Sequence, residues 1–198
     1  MTEFNLTNEC SVPYIDGEIS PSFREYGAKR GRIGLFAIHG GGIEIGTEQI
    51  VRYCAERTRC SVYVFSGRKK IRNSSLRISS VKFALLNRPF FSNILAYVET
   101  IVAVHGHNQN DRNVYIGGRN TELKGKIAGA LEKTLPGYRV VKYPHEIPNL
   151  MKGDYPNNFV NLSPEGGVQL ELPRALREAK KTAGWRRHEW SLLYGDST

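Results

Sequence analysis

His39, Glu44, His105 and Glu171 are of the types that hold a metal ion and move a proton, and three of them close strand-like runs. The apolar run Ile33-Gly34-Leu35-Phe36-Ala37-Ile38 leads to His39, which is followed by three glycines and then Glu44. Thr100-Ile101-Val102-Ala103-Val104 leads to His105, and Val168-Gln169-Leu170 leads to Glu171. Ligands of parallel α/β sheets bind outside the carboxyl ends of the strands. His39, His105 and Glu171, with Glu44 five residues after the first histidine, could therefore assemble one site. Two imidazoles and a carboxylate make a three-ligand catalytic zinc set that leaves a coordination position for water. A further carboxylate beside that water would supply the general base.

Each motif also has a plainer reading. Gly41 to Gly46 has the glycine spacing of a phosphate loop, but Thr47 stands where that loop needs lysine, and Glu44 would put a negative charge inside an anion cradle. The His-Gly-Gly-Gly run resembles a lipase oxyanion-hole motif, yet the chain has no Gly-x-Ser-x-Gly elbow. What remains is a glycine turn that lets His39 and Glu44 face one ion, or a buried histidine followed by an ordinary acid in the first turn of a helix. In His105-Gly106-His107 the strand end is the better-fixed position. His105 is therefore the expected ligand, and His107 a surface or supporting histidine. Gln169 and Glu171 share one strand face. A carboxylate there is costly unless it is paired, solvated or near a cation, and the alternative is an edge strand with a wet face.

The elements that must position these groups alternate. Strands are expected at 33–38, 61–65, 100–104, 113–117, 138–142 and 167–172, mostly as continuous apolar runs that suit a largely parallel sheet buried on both faces. Helices are expected at 47–57, 120–134 and 174–182, with two less regular ones near 81–86 and 91–98. The Pro-, Asn- and Gly-rich segment 143–166 reads as a long loop near the site, and such loops inside compact domains are usually functional. The expectation is one α/β domain over residues 1–198, with a mixed, mostly parallel sheet flanked by helices.

Composition narrows the function classes. No apolar run is long enough to span a membrane. The first positive charge after Met1 is Arg24, so the basic and apolar regions of a secretory signal are missing, and synthesis and retention in the cytoplasm are expected unless lysis releases the protein. Cys10, Cys54 and Cys60 are odd in number and lack Cys-x-x-Cys spacing, which argues against a disulfide framework; Cys54 is expected in the core. The net charge of +9, with basic clusters at 29–32, 68–72 and 186–187, either keeps the surface solvated or attracts a polyanion. No RNP motif, zinc-finger spacing or basic zipper points to nucleic acid.

Ala37-Ile38-His39-Gly40-Gly41-Gly42-Ile43-Glu44, Ala103-Val104-His105-Gly106, Tyr115-Ile116-Gly117-Gly118-Arg119-Asn120 and Gly167-Val168-Gln169-Leu170-Glu171-Leu172 together resemble the poly-γ-glutamate hydrolase family, in the family's order and over about residues 33–177. These are zinc peptidases related to the carboxypeptidase A fold, several of them encoded by phages. The resemblance implies His39, Glu44 and His105 as zinc ligands, Glu171 as general base, and cleavage of the γ-amide bonds of a capsular polymer. The chain departs from the family by carrying Arg77 where members tend to carry histidine. Because guanidinium matches carboxylate in a bidentate fork, Arg119 and then Arg112 are the expected contacts for substrate carboxylate or oxyanion. The tail from Ala183, with Trp185 and Trp190, lies outside the resemblance and is expected to pack as a cap. The competing readings are a zinc amidohydrolase of small N-acyl amino acids and a non-catalytic polyanion-binding protein.

Overall fold

The computed structural model describes residues 23–178, together with short backbone pairings at Thr7–Asn8, Val12–Pro13 and Ile19–Ser20. Seven strands make the body of one sheet: β1 (Phe23–Ala28), β2 (Ile33–Gly41), β3 (Ser61–Gly67), β4 (Thr100–His107), β5 (Asn113–Gly118), β6 (Arg139–Val141) and β7 (Gly167–Pro173). Their spatial order is β1-β3-β2-β4-β7-β5-β6, and Thr7–Asn8 extends the β1 edge. The central strands β3, β2, β4 and β7 run parallel, β1 is antiparallel to β3, and β5 is antiparallel to β7. The expected mixed, mostly parallel α/β sheet is what forms.

The apolar runs explain the centre. β2, β3 and β4 are buried almost throughout because helices cover both faces. Helices α1 (Thr47–Arg57) and α4 (Thr121–Thr134) pack on one face, where Val51, Ala55 and Ala128 meet Ala37, Val64, Val104 and Ile116. On the other face lie α2 (Ser80–Ala84), α3 (Pro89–Leu95) and the 3-10 turn Phe159–Asn161, and there Phe83, Phe91 and Phe159 enclose Phe36, Tyr63 and Ala103. The chain leaves β2 for β3 through α1, then crosses back over β2 to β4 on the opposite face. The carboxyl ends of β2 and β4 thus form a topological switch point, where ligands of open α/β sheets bind.

Several elements differ from the sequence expectation. β2 and β4 run on past their apolar stretches to include His39, His105 and His107. The strand β1 was not anticipated: its buried and exposed residues alternate and Glu25 is buried, because Arg88 and the Tyr63 hydroxyl bond that carboxylate. The helix described is Arg174–Arg177 (α5), shorter than the expected 174–182, with Glu178 already non-helical; 179–182, like Cys10 and the tail with Trp185 and Trp190, lie outside the described residues. Cys54 is half-buried rather than in the core, and both it and Cys60 are free thiols. Among the described residues no helix is long and apolar enough to cross a membrane.

The segment 143–166 is tied to the sheet by Phe159, which is fully buried and stacked on Phe36 with ring centroids 6.1 Å apart. Phe159→Ala should cost about 3–5 kcal/mol through lost burial and the cavity left behind, read as a lower urea midpoint at unchanged m-value. A loss below about 1 kcal/mol would mean that the segment is not held through this ring.

Candidate metal centre

One irregularity in β2 brings the two histidines together. Ala37 pairs with Val64 and Gly40 with Ser66, so three steps along β2 match two along β3 and one extra residue is inserted around Ile38-His39. Phe36 and Ile38 both pack on the α2–α3 face. Strict alternation would send the next side chain, His39, to the opposite face, away from His105, which follows Ile101 and Ala103 on the α2–α3 side. A bulge re-aims the strand locally, and the His39 and His105 rings meet with centroids 4.8 Å apart.

The glycine turn then returns Glu44 to the same point. Gly41 has φ +70° and would drive a Cβ into the backbone of Gly67 at 2.7 Å, so a larger residue there would break the turn. The Glu44 amide donates to the His39 carbonyl at 2.9 Å, and the Thr47 hydroxyl donates to the Glu44 carbonyl at 2.9 Å. Helix α1 starts only at Thr47, so Glu44 belongs to the turn and is not a first-turn helix acid. Glu48, buried one turn later, accepts from the Gly41 amide at 3.0 Å and the Ser66 hydroxyl at 2.7 Å, stapling the turn to β3.

His39, Glu44 and His105 are all buried, and their ligand atoms lie within 4.8 Å of one another. His39 Nδ1 is 2.8 Å from Glu44 Oε1, the two Nδ1 atoms are 3.0 Å apart, and His105 Nδ1 is 3.6 Å from Glu44 Oε2. His39 Nε2 donates to the Ile78 carbonyl at 2.7 Å, and an N–H there leaves Nδ1 of the neutral ring as a lone pair. That lone pair faces a carboxylate oxygen and a second imidazole, an arrangement that needs a proton or a metal cation between the acceptors. Ligands about 2.0–2.1 Å from a tetrahedral zinc stand roughly 3.3 Å apart, and the three separations bracket that value. The donor set therefore fits zinc, and the tether from Nε2 to a carbonyl is the usual outer support of a metal-binding histidine.

Charge follows burial and neighbours. Burial works to raise the Glu44 carboxyl, but the two imidazoles that converge on it, His39 foremost, hold it well below the ordinary carboxylate range. Burial lowers His105 and favours the neutral ring. Glu171 is pushed well above the ordinary range by burial first and by the Glu44 charge second. It sits on β7 in register with His105 and accepts from Gln169 Nε2 at 2.9 Å. Gln169 in turn accepts from Asn158 Nδ2 at 3.0 Å, so the long loop fixes the side chain that holds Glu171.

The remaining expected residues separate. His107 is buried rather than at the surface: its Nε2 donates to the Asn113 carbonyl at 2.9 Å and its ring lies 5.2 Å from Tyr115, outside the three-residue group. Arg119 is not brought to this centre. β5 runs antiparallel to β7, so Gly118 pairs with Val168 at the far end of the strand and Arg119 follows it, about 13 Å from Glu171 at the usual rise. Arg112 starts β5 at the same sheet edge as the centre, but its guanidinium lies over the Tyr138 ring, 5.6 Å from the centroid. The basic run 68–72 directly follows β3 at that edge.

Two arginines near the centre have roles that the sequence did not assign, although Arg77 stands where the resembled family tends to carry histidine. Arg77 Nε donates to Glu44 Oε1 at 3.1 Å. Arg177, buried, donates to the carbonyls of Ile45, Leu172 and His107, the last two at 3.1 and 3.2 Å, and so binds the glycine turn to the ends of β7 and β4. Gly106 leaves room for it, since a Cβ there would collide with the guanidinium.

A family model for poly-gamma-glutamate hydrolase matches residues 19–188. The chain belongs to the poly-γ-glutamate hydrolase family. The solved structure of a bacteriophage poly-γ-glutamate hydrolase is similar to it with a TM-score of 0.72 and 27% identity, over 84% of this chain and 80% of that one. A zinc-free apo structure of YndL gives a TM-score of 0.72 at 25% identity, over 83% of this chain and 78% of that one. Among curated relatives from Bacillus subtilis strain 168, UPF0714 protein YndL is 30% identical over 146 residues and UPF0714 protein YmaC 30% identical over 159 residues. These alignments cover 73% and 78% of this chain but 54% and 63% of the relatives, so the chain spans between about half and two thirds of their length.

The raised Glu171 carboxyl gives a signed test. Its protonated form contributes stability that is complete below the ordinary carboxylate value of 4.5 and lost as pH rises through the higher folded value. Glutamine stays neutral throughout. Metal-free Glu171→Gln should therefore gain stability relative to metal-free wild type as pH rises across that window, measured by urea unfolding in chelator. A difference independent of pH would refute the raised carboxyl.

Proposed function

We propose that this chain is a zinc-dependent hydrolase of the γ-glutamyl amide bonds of poly-γ-glutamate, with His39, Glu44 and His105 as metal ligands and Glu171 as general base. The observation that carries the reading is the convergence of three buried acceptors on one point, beside a fourth carboxylate in register on the adjacent strand. Family membership supports the substrate class, and the fit of the donor set supports the metal.

The chain's own groups divide the work. Zinc, when bound, would supply a Lewis acid that lowers the pKa of water and polarises the scissile carbonyl. Ionised Glu171 takes a proton from the attacking water as its oxygen bonds to the amide carbon. As the carbon–nitrogen bond breaks, Glu171 returns that proton to the leaving amine. Gln169 keeps the carboxylate aimed during both transfers, and the buried setting strengthens each electrostatic contact. The 68–72 run offers positive charge to an approaching polyanion at the same edge of the sheet.

Metal analysis of the purified protein beside viscosity loss of poly-γ-glutamate tests this reading. About one zinc per chain is expected, together with a fall in polymer viscosity. Zinc with cleavage of small N-acyl amino acids but not of polymer would favour the amidohydrolase reading, and a metal-free protein that binds polyanions without cleaving them would favour the binding-protein reading. His39→Ala and His105→Ala should lose most of the zinc, whereas His107→Ala should keep it; full occupancy in His105→Ala would overturn the ligand set.

Glu171→Gln separates the metal from the chemistry. It should retain zinc and lose at least ~100-fold in kcat, the usual worth of a positioned acid–base group. Near-normal turnover with zinc retained would move the base elsewhere.

A further inference from the structure

We propose that Arg77 is the specificity-determining cation of the site: its guanidinium binds the free α-carboxylate of the glutamyl unit at the scissile bond. This rests on the functional reading above. A γ-linked glutamate chain carries one such carboxylate per unit, beside each amide that could be cut.

The position of Arg77 is fixed on both sides. Leu76 and Ile78 are buried in the aromatic core, and the Ile78 carbonyl is the one that tethers His39. The residue between them is held at the mouth of the centre, with its side chain 49% exposed. Only Nε is engaged, donating to Glu44 Oε1. Among the described residues the two terminal amino groups have no hydrogen-bond partner, so the end-on fork that grips a carboxylate bidentately is open.

Charge points the same way. A zinc dication with the Glu44 and Glu171 carboxylates sums to neutrality, and once the ion takes up the Glu44 charge, Arg77 is left as an uncompensated and permanent cation. Four other arginines near the sheet are engaged or lie elsewhere. Arg177 is buried against carbonyls, Arg88 is paired with Glu25, Arg112 lies on Tyr138, and Arg119 sits at the opposite edge. A substrate carboxylate on Arg77 would leave its neighbouring amide beside the metal centre and Glu171.

The test measures binding in the inactive Glu171→Gln protein loaded with zinc. The probes are a short γ-glutamyl oligomer and the same oligomer with every α-carboxyl converted to carboxamide. Arg77→Gln should weaken the carboxylate oligomer roughly 10- to 100-fold, the worth of a charge-assisted hydrogen-bonded pair, while the carboxamide oligomer changes less than about 2-fold and zinc content stays constant. Arg77→Lys keeps the charge without the fork and should recover part of the loss. Equal weakening of both probes with loss of zinc would mean that Arg77 only orients Glu44, and unchanged binding of both would mean that it touches no substrate; either result overturns the proposal. A zinc-loaded protein with Arg77 intact that binds neither probe and, with Glu171 intact, cleaves no polymer would instead sink the functional reading, and this proposal with it.

Discussion

Three acceptor atoms crowded into a buried space repel one another, and the rest of this structure exists to hold them there. Left alone, the lone pairs of His39 and His105 and the Glu44 carboxylate would turn apart or take up water. Four restraints prevent that. The extra residue in β2 puts His39 on the face of His105, the Ile78 carbonyl pins the far nitrogen of His39, the Gly106 amide donates to Glu44 Oε2 at 2.8 Å, and Arg77 donates to the other carboxylate oxygen. The restraints come from three separate segments, β2, β4 and the stretch 77–78 before α2, so the geometry is over-determined and the cluster is preorganised for a cation.

The same logic reaches outward. Glu48 and Arg177 do not belong to the cluster, yet they close the two sides of the turn that carries Glu44. Arg177 is a buried cation bonded to carbonyl and amide oxygens, with Glu44 and Glu171 acting on it at longer range. Burying such a charge costs several kcal/mol before compensation, and its three carbonyl partners lie at the ends of β4 and β7 and in the turn before α1. Phe159 extends the frame to the long loop, whose Asn158 reaches Glu171 through Gln169. Packing on one side and hydrogen bonding on the other thus end at the same two carboxylates.

How much of this was legible in the sequence depends on which physical signal each part leaves. Continuous apolar runs announced the central strands, and residue type at their ends announced the histidines and Glu171. Strand β1 left little trace, because a buried Glu25 interrupts its apolar alternation and only Arg88, far along the chain, explains it. The bulge at Ile38-His39 is invisible without the partner strand, since it exists only as a mismatch of register. Arg119 has the chemistry to meet a carboxylate, but the direction of β5 puts it at the opposite end of the strands, and strand direction is decided by tertiary pairing. In sequence Arg77 stands out only as a departure from the family's histidine and Arg177 not at all, because what gives them their roles is the carboxylate and the carbonyls that the fold brings to them.

The sum of charges explains why a basic protein would build its centre from acids. The cluster brings Glu44 and, next to it, Glu171 into a medium of low polarity, where each raises the cost of ionising the other. A divalent cation held by the cluster would remove that conflict and lower Glu171 toward the ionised state that the proposed base needs. The centre would then be neutral, and Arg77 at its mouth would tip it positive. On the proposed reading, an anionic chain entering from the 68–72 side would meet increasing positive charge until a carboxylate reached the guanidinium, and the attraction that gathers the polymer would also select which of its bonds comes to rest beside Glu171.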